Sequence, residues 1–235
     1  MTARRQAIVV SFSGIDGAGK STQIEMLRTS ITEAGLGSSL LTFWDDVAMF
    51  SSLREMCGHL VFRGDKGVGS PEKPIERRDK NVSSRPATVM RLFFYLFDAL
   101  SLTLKYAKAK RSAADVVIFD RYIYDEFANL PLHQWLARLY VRTMMNLLPK
   151  PDVAYLIDAD PVQARLRKPE YPYEFLQRNR AAYLELNKIN EAMTVIEPAP
   201  IMEAHRNVVA AFVDKLPDRQ HKFFSNMKAF IQPIN

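Results

Sequence analysis

Residues 14–22, Gly14-Ile15-Asp16-Gly17-Ala18-Gly19-Lys20-Ser21-Thr22, satisfy the spacing G-x-x-x-x-G-K-S from Gly14 through Ser21. Glycines at this spacing let a backbone curl with its amide N–H groups turned inward. A helix starting at the end of the loop adds its positive end, so phosphate oxygens meet donors on several sides. Lys20 can bridge the β- and γ-phosphates of a nucleotide, and the Ser21 hydroxyl is placed to coordinate Mg²⁺. The alternative is a Gly-rich turn that merely joins a strand to a helix. The flanks decide against it: Ala7-Ile8-Val9-Val10-Ser11-Phe12 reads as a buried strand, and Ser21 to Leu27 carries apolar residues at helical spacing. The motif predicts a bound nucleoside triphosphate, with Gly14 to Thr22 as the binding set.

Two further segments carry groups suited to phosphate chemistry. The apolar run Val116–Phe119 ends in Asp120-Arg121-Tyr122. In a chain with a phosphate loop, an acid in this position is a candidate Mg²⁺-associated carboxylate, and Arg121 can fork onto a phosphate with two parallel hydrogen bonds. A buried Asp–Arg pair closing the sheet edge is the competing reading. The second segment holds Arg165, Arg167, Lys168, Arg178 and Arg180 around Pro169-Glu170-Tyr171-Pro172. It suggests a hinged flap whose arginines neutralise charge on the transferred phosphoryl group and exclude water. A solvated basic helix face is the alternative; phosphoryl transfer needs such cations, and the loop alone supplies only Lys20. Asp160-Pro161, just before this cluster, can simply cap the helix that follows.

The elements that must position these groups alternate along the chain. Strands are expected at 7–13, 38–44, 115–120, 153–158 and 193–197. Helices are expected at 20–34, 47–62, 87–111, 131–148, 161–168, 172–192 and 201–216. This alternation implies an α/β fold: a doubly wound, mostly parallel five-stranded sheet with helices on both faces and a helical lid at about 163–182. Ligands of such sheets bind beyond the carboxyl ends of the strands. A polar, Gly/Pro-containing stretch at about 63–86 is the best candidate for a mobile loop, and residues 218–235 have no clear role. With no repeat and no linker composition, one domain over 1–235 is the economical reading.

Composition bounds the function. A chain of 235 residues with 48% hydrophobic content suits one soluble globular domain. The one cysteine, Cys57, excludes an internal disulfide and fits a reducing cytoplasm. Met1 to Gln6 leads straight into the first strand, so no signal peptide is expected, and Leu92 to Leu104 is too short and is broken by Asp98, so no membrane span is expected. The net charge of +6 is spread out, apart from seven Lys/Arg against four Asp/Glu between Arg63 and Pro86. It lacks the interleaved aromatic and basic pattern that stacks bases, so no nucleic-acid partner is expected; handling several phosphates explains the charge.

With these residues in hand, the chain resembles the thymidylate kinase family of P-loop nucleoside monophosphate kinases, up to about residue 216. The segment from Gly14 to Gln23 looks like that family's phosphate loop, including Asp16. Phe119-Asp120-Arg121-Tyr122 is similar to its Asp-Arg-Tyr motif, and Pro151-Asp152 through Pro161 to its pre-flap strand. Phe175 to Tyr183 keeps its Phe-x-x-Arg-x-Arg-x-x-Tyr spacing. Gly17 inside the loop, together with Arg165 and Arg167 in the flap, looks like the bacterial type, in which the flap supplies the transition-state arginine. The resemblance implies that Lys20, Ser21 and Thr22 hold ATP and Mg²⁺. It implies that Asp16 and Arg121 face the acceptor, that Asp120 sits near the metal, and that the protein is a homodimer. The implied reaction is in-line transfer of the γ-phosphoryl group of ATP to a nucleoside monophosphate, dTMP first among them.

The acceptor half departs from the family. Phe43-Trp44-Asp45-Asp46-Val47 puts two acids where the family carries an Arg-Glu-Pro-Gly-like segment. Ile123-Tyr124-Asp125-Glu126-Phe127 replaces a Ser-rich stretch, and Phe97-Asp98-Ala99 stands where the family has an Asp-Arg pair. Asp45, Asp46, Asp125 and Glu126 are expected to repel a nucleotide phosphate unless the basic loop with Lys73, Arg77, Arg78, Lys80 and Arg85 offsets them. Arg91, Tyr95 and Asp98 fall at i, i+4 and i+7 and can line an acceptor pocket; equally, Tyr95 can be core among Phe93, Phe94 and Phe97. A kinase for another nucleotide, a nucleoside or a small metabolite therefore stays open. So does a nucleotide-binding switch without efficient transfer, although a switch has no need of the flap arginines. No guanine-reading Asn-Lys-x-Asp-like segment is present.

Overall fold

A run of β-branched residues with no charged member can be buried on both faces, and Ile8–Ser13 (β1) is buried at all six positions. The computed structural model describes residues 6–48 and 85–216, with the side chains of the second stretch described from Leu92 onward. The expected helix at 47–62 beyond residue 48, Cys57, the basic loop but for its last two residues, and the tail at 218–235 lie outside the described residues.

After β1 the order is Lys20–Glu33 (α1), Ser38–Thr42 (β2), a single π-helical turn at Phe43–Val47, and Arg85–Lys110 (α2). Val116–Asp120 (β3), Ile123–Phe127 (α3), Trp135–Leu147 (α4) and Val153–Ile157 (β4) follow. Pro161–Arg167 (α5), Tyr173–Asn190 (α6), Thr194–Ile196 (β5) and Ile201–Asp214 (α7) complete the fold. The five strands form one sheet in the order β2-β3-β1-β4-β5, parallel throughout. β1 lies at the centre, with β3 on one side (Phe12 opposite Asp120) and β4 on the other (Ser13 opposite Leu156).

This order places the site. The chain leaves β1 toward β2 on one flank and later reaches β4 on the opposite flank, so β1 is the point where the winding direction reverses. In open parallel sheets a crevice forms there, beyond the carboxyl ends of the strands. β1 ends at Ser13 and β3 at Asp120, so the phosphate loop and the Asp-Arg-Tyr corner open side by side.

Three local expectations are corrected. The second strand stops at Thr42, not 44, because Phe43 and Trp44 turn into the π-helical segment; the Asp46 carboxylate accepts the Thr42 amide at 2.8 Å and closes that turn. The helix expected from 131 begins at Trp135. The five-residue helix α3 was not expected; it is too short to show a period and is held by tertiary contacts.

Candidate active site

Backbone geometry shapes the phosphate loop. Gly14, Gly17 and Gly19 have φ of 140°, 81° and 95°, the region that disfavours side chains. Two of them are also tight against neighbours. A Cβ on Gly14 would lie 2.4 Å from the Ile157 carbonyl oxygen at the end of β4, and one on Gly17 would lie 2.2 Å from that of Ala164 in α5. Gly17 is thus the place where the loop meets the helix that carries Arg165 and Arg167.

Lys20 is 7% exposed, and its Nζ donates to the carbonyl oxygens of Gly14 at 2.9 Å and Ile15 at 2.8 Å. Burial, and next the positive charge of Arg121, lower its pKa to about 8, against the pull of Asp16, Asp125 and Asp120. Ser21 and Thr22 are exposed at the first turn of α1, while Ile15 and Ala18 anchor the loop in the core.

The corner after β3 is the second half of the site. Arg121 has φ of 70°, left-handed for a residue with a side chain, and its amide donates to the Phe12 carbonyl at 2.9 Å. Its Nη2 pairs with Asp16 of the loop and its Nη1 with Asp125 at 3.1 Å. The competing Asp120–Arg121 edge pair is therefore replaced by an Arg121 held between two other acids. Burial works against the Arg121 charge, but Asp125 and Asp16 outweigh it and its pKa is raised. Asp120 is half-buried, and burial raises its pKa against the opposing pull of Arg121 and Lys20.

Two of the four acids expected to repel a phosphate, Asp46 and Asp125, are engaged within the fold. Asp46 caps the π-helical turn. Asp125 is buried, and its carboxylate accepts from Ser13 Oγ at 2.6 Å, Tyr183 Oη at 2.7 Å and the Tyr122 amide at 3.2 Å, besides Arg121. From the sequence, Asp125 reads as an acid that faces the acceptor, repelling a phosphate or accepting from a hydroxyl, and not as a partner of Arg121. The signal that could have found it is its spacing: three residues after Tyr122 it can reach back to that amide as the N3 half of a capping box.

The basic cluster divides. Arg165, Arg167 and Lys168 are exposed at the end of α5, and Arg167 Nη1 donates to the Gly17 carbonyl at 3.3 Å. Arg180 is not a free lid cation. It forks onto Asp158 with bonds of 2.7 and 2.6 Å, which raises its pKa. Arg178 donates to the Glu174 carbonyl of its own helix. Asp160 does cap α5, accepting from the amides of Val162 and Gln163 at 2.6 and 3.2 Å.

On α2, Tyr95 is 3% exposed and packs edge-on to Phe127, and Asp98 is 0% exposed, so neither presents open surface. The side chain of Arg91 lies outside those described. A metal ion would meet oxygen donors at Ser21 and Asp120, the hard ligands that Mg²⁺ prefers. Among the described residues no group of three or more His, Cys, Asp or Glu could hold a metal by itself.

A phosphate loop at the centre of a parallel β2-β3-β1-β4-β5 sheet, faced by a basic helical lid, defines the P-loop kinase fold. No protein-family model matches the chain. Whole-length comparison finds proteins named thymidylate kinase. A probable thymidylate kinase of Thermococcus kodakarensis is 25% identical over 218 residues, 88% of this chain and 97% of its own. Thymidylate kinases of Fervidobacterium nodosum (25% identical; 86% and 97% covered) and Bifidobacterium longum (28%; 76% and 83%) are similar in the same way. The crystal structure of thymidylate kinase from Ehrlichia chaffeensis matches with a TM-score of 0.53 at 20% identity, covering 88% of this chain and 99% of that one; it supports the fold. The likeness read from the motifs thus extends over most of the chain.

Proposed function

We propose that this chain is a thymidylate kinase-like enzyme that transfers the γ-phosphoryl group of ATP to dTMP. The observation that carries this reading is the Asp16–Arg121 pair, which joins the phosphate loop to the Asp-Arg-Tyr corner beside Lys20. Similarity over most of the chain to proteins of that name supports it. The donor phosphates lie over Gly14 to Thr22, where Lys20 exchanges its loop carbonyls for phosphate oxygens. Ser21, with Asp120 nearby, would hold Mg²⁺, which would supply charge neutralisation on the phosphates. Arg121 and Asp16 orient the acceptor phosphate for in-line attack, with Arg91 on α2 as a further cation for it. Arg167 and Arg165 close over the transferred group and stabilise the charge that develops on it. Catalysis here is positioning and electrostatics, with no covalent step on the protein.

The protein is further read as a cytoplasmic homodimer. Phe93, Leu96, Leu100 and Leu104, spaced along one side of α2, are 51–65% exposed, an apolar stripe that a second copy would cover. Among the described residues no helix is long and apolar enough to cross a membrane.

The deciding experiment is ADP release from ATP and Mg²⁺ across thymidine, deoxyuridine, cytidine, adenosine and guanosine monophosphates, and thymidine itself. Saturable turnover led by thymidine monophosphate is the expected result. ATP binding without turnover of any of them would refute the acceptor assignment. Sedimentation of the wild type against Leu100→Glu tests the dimer, and a monomeric wild type would remove it.

A further inference from the structure

We propose that Asp125 is a positioning residue for phosphoryl transfer: its buried carboxylate clamps the Arg121 guanidinium between the phosphate loop and α6. The inference rests on the reading of Arg121 as the acceptor-phosphate cation.

Four donors converge on this carboxylate. On Oδ1 it accepts from Arg121 Nη1 at 3.1 Å and Tyr183 Oη at 2.7 Å. On Oδ2 it accepts from Ser13 Oγ at 2.6 Å and the Tyr122 amide at 3.2 Å. These donors come from three separate parts of the molecule: the last residue of β1 before the loop, the corner after β3, and α6. A single buried acid therefore ties all three together. A buried carboxylate is costly unless its charge is paired and its lone pairs are filled, and here both conditions are met.

The clamp also has a specific outcome for Arg121. Asp16 holds Nη2 and Asp125 holds Nη1, so the planar group is gripped at both ends. Among the described residues three of its five N–H donors stay available for a phosphate. The left-handed backbone at Arg121 turns the side chain back over the loop, a conformation that persists only where its surroundings over-determine it. Asp125 is part of those surroundings. A serine at this position could cap α3 but would bring no charge to face Arg121.

Two variants of the full chain test the clamp, Asp125→Asn and Tyr183→Phe. The first readout is the side-chain ¹⁵N–¹H spectrum of ¹⁵N-arginine-labelled protein, with the Arg121 signals assigned by their loss in Arg121→Lys. Wild type is expected to show resolved, slowly rotating Nη groups for Arg121, and Asp125→Asn to show them averaged. The second readout is kinetic. Asp125→Asn should raise the KM for thymidine monophosphate about tenfold with the KM for ATP within about twofold, and Tyr183→Phe should do the same by about threefold. An unchanged Arg121 spectrum, or equal rises in both KM values, overturns the proposal. Should Asp125→Asn fail to fold, Tyr183→Phe, which removes one hydroxyl only, decides by the same criteria. A wild type that turns over no thymidine monophosphate would refute the proposed function, and the spectrum would still decide the clamp.

Discussion

Replacing Gly17 by alanine tests the contact on which the lid assignment rests. Gly17 has φ of 81°, and a Cβ there would lie 2.2 Å from the Ala164 carbonyl oxygen and 2.9 Å from its carbon. Ordinary contact begins at 3.4 Å, so α5 must retreat by more than about 1 Å. Ala164 is buried and Arg167 sits one turn further on, donating to the Gly17 carbonyl, so the retreat carries the arginine with it. The left-handed backbone alone costs roughly 1–2 kcal/mol, which for a domain of this size lowers Tm by about 2–8 °C. Displacing a catalytic group by about 1 Å costs on the order of a hundredfold in kcat. Gly35→Ala supplies the control: φ is 79°, and nothing lies within 4 Å of its Cβ. Calorimetry should show a larger Tm loss for Gly17→Ala, which adds the clash to the backbone strain, than for Gly35→Ala, and ADP release at saturating substrates reads kcat. The hundredfold fall in kcat should be confined to Gly17→Ala. A Gly17→Ala enzyme with wild-type kcat and a Tm loss like that of Gly35→Ala would refute the contact between loop and lid.

Other perturbations report on the remaining charges. Because the Lys20 pKa falls from the ordinary lysine value of 10.5 to about 8 in the folded, unliganded protein, kcat/KM for ATP should decline as pH rises through about 8. The unfolded chain binds more protons than the folded one between about 8 and 10.5, so stability from this group should rise over that window. Thermal denaturation against pH checks the sign, and Lys20→Met should remove the stability effect. Arg167→Ala should depress kcat by tenfold or more with little change in KM, read by steady-state kinetics; an unaltered kcat would return it to the solvated surface. Arg121→Ala should raise the acceptor KM with ATP affinity little changed, and a loss confined to ATP binding would move Arg121 to the donor side.

What was legible in the sequence was what repeats or recurs locally. The five strands could be read from apolar runs such as Val116–Phe119, and the loop from glycines at fixed spacing, because both are set by backbone geometry over a few residues. The short elements were not legible. Ile123–Phe127 has no period to detect, and Phe43–Val47 forms its π-helical turn through a bond from the Thr42 amide to Asp46. Long-range pairing was hidden for a different reason. Arg180 and Asp158 stand 22 residues apart, and Asp125 and Tyr183 are 58 apart. A count of nearby charges cannot show which cation is already engaged, so Arg180 read as a lid arginine and Asp125 as a repulsive acid.

The electrostatic balance of the centre follows from these pairings. Lys20 and Arg121 face Asp16, Asp120 and Asp125, so the groups fixed at the sheet's edge carry more negative charge than positive. A triphosphate and a monophosphate arriving together add several further negative charges, and fixed dipoles at the start of α1 offset only part of one. Arg180 contributes nothing more, since Asp158 holds it. The cations left among the described residues around the loop are Arg165 and Arg167, both exposed on α5, since Lys168 just beyond it pairs with Glu170 at 3.4 Å. If the proposed function holds, closure of the lid is a condition of holding both substrates, in addition to stabilising the transition state. The absence of any side chain at Gly17 is what permits α5 to come close enough to do so. Any side chain at that position would place its Cβ 2.2 Å from the Ala164 carbonyl oxygen, so the reach of the α5 arginines over the loop depends on the identity of residue 17.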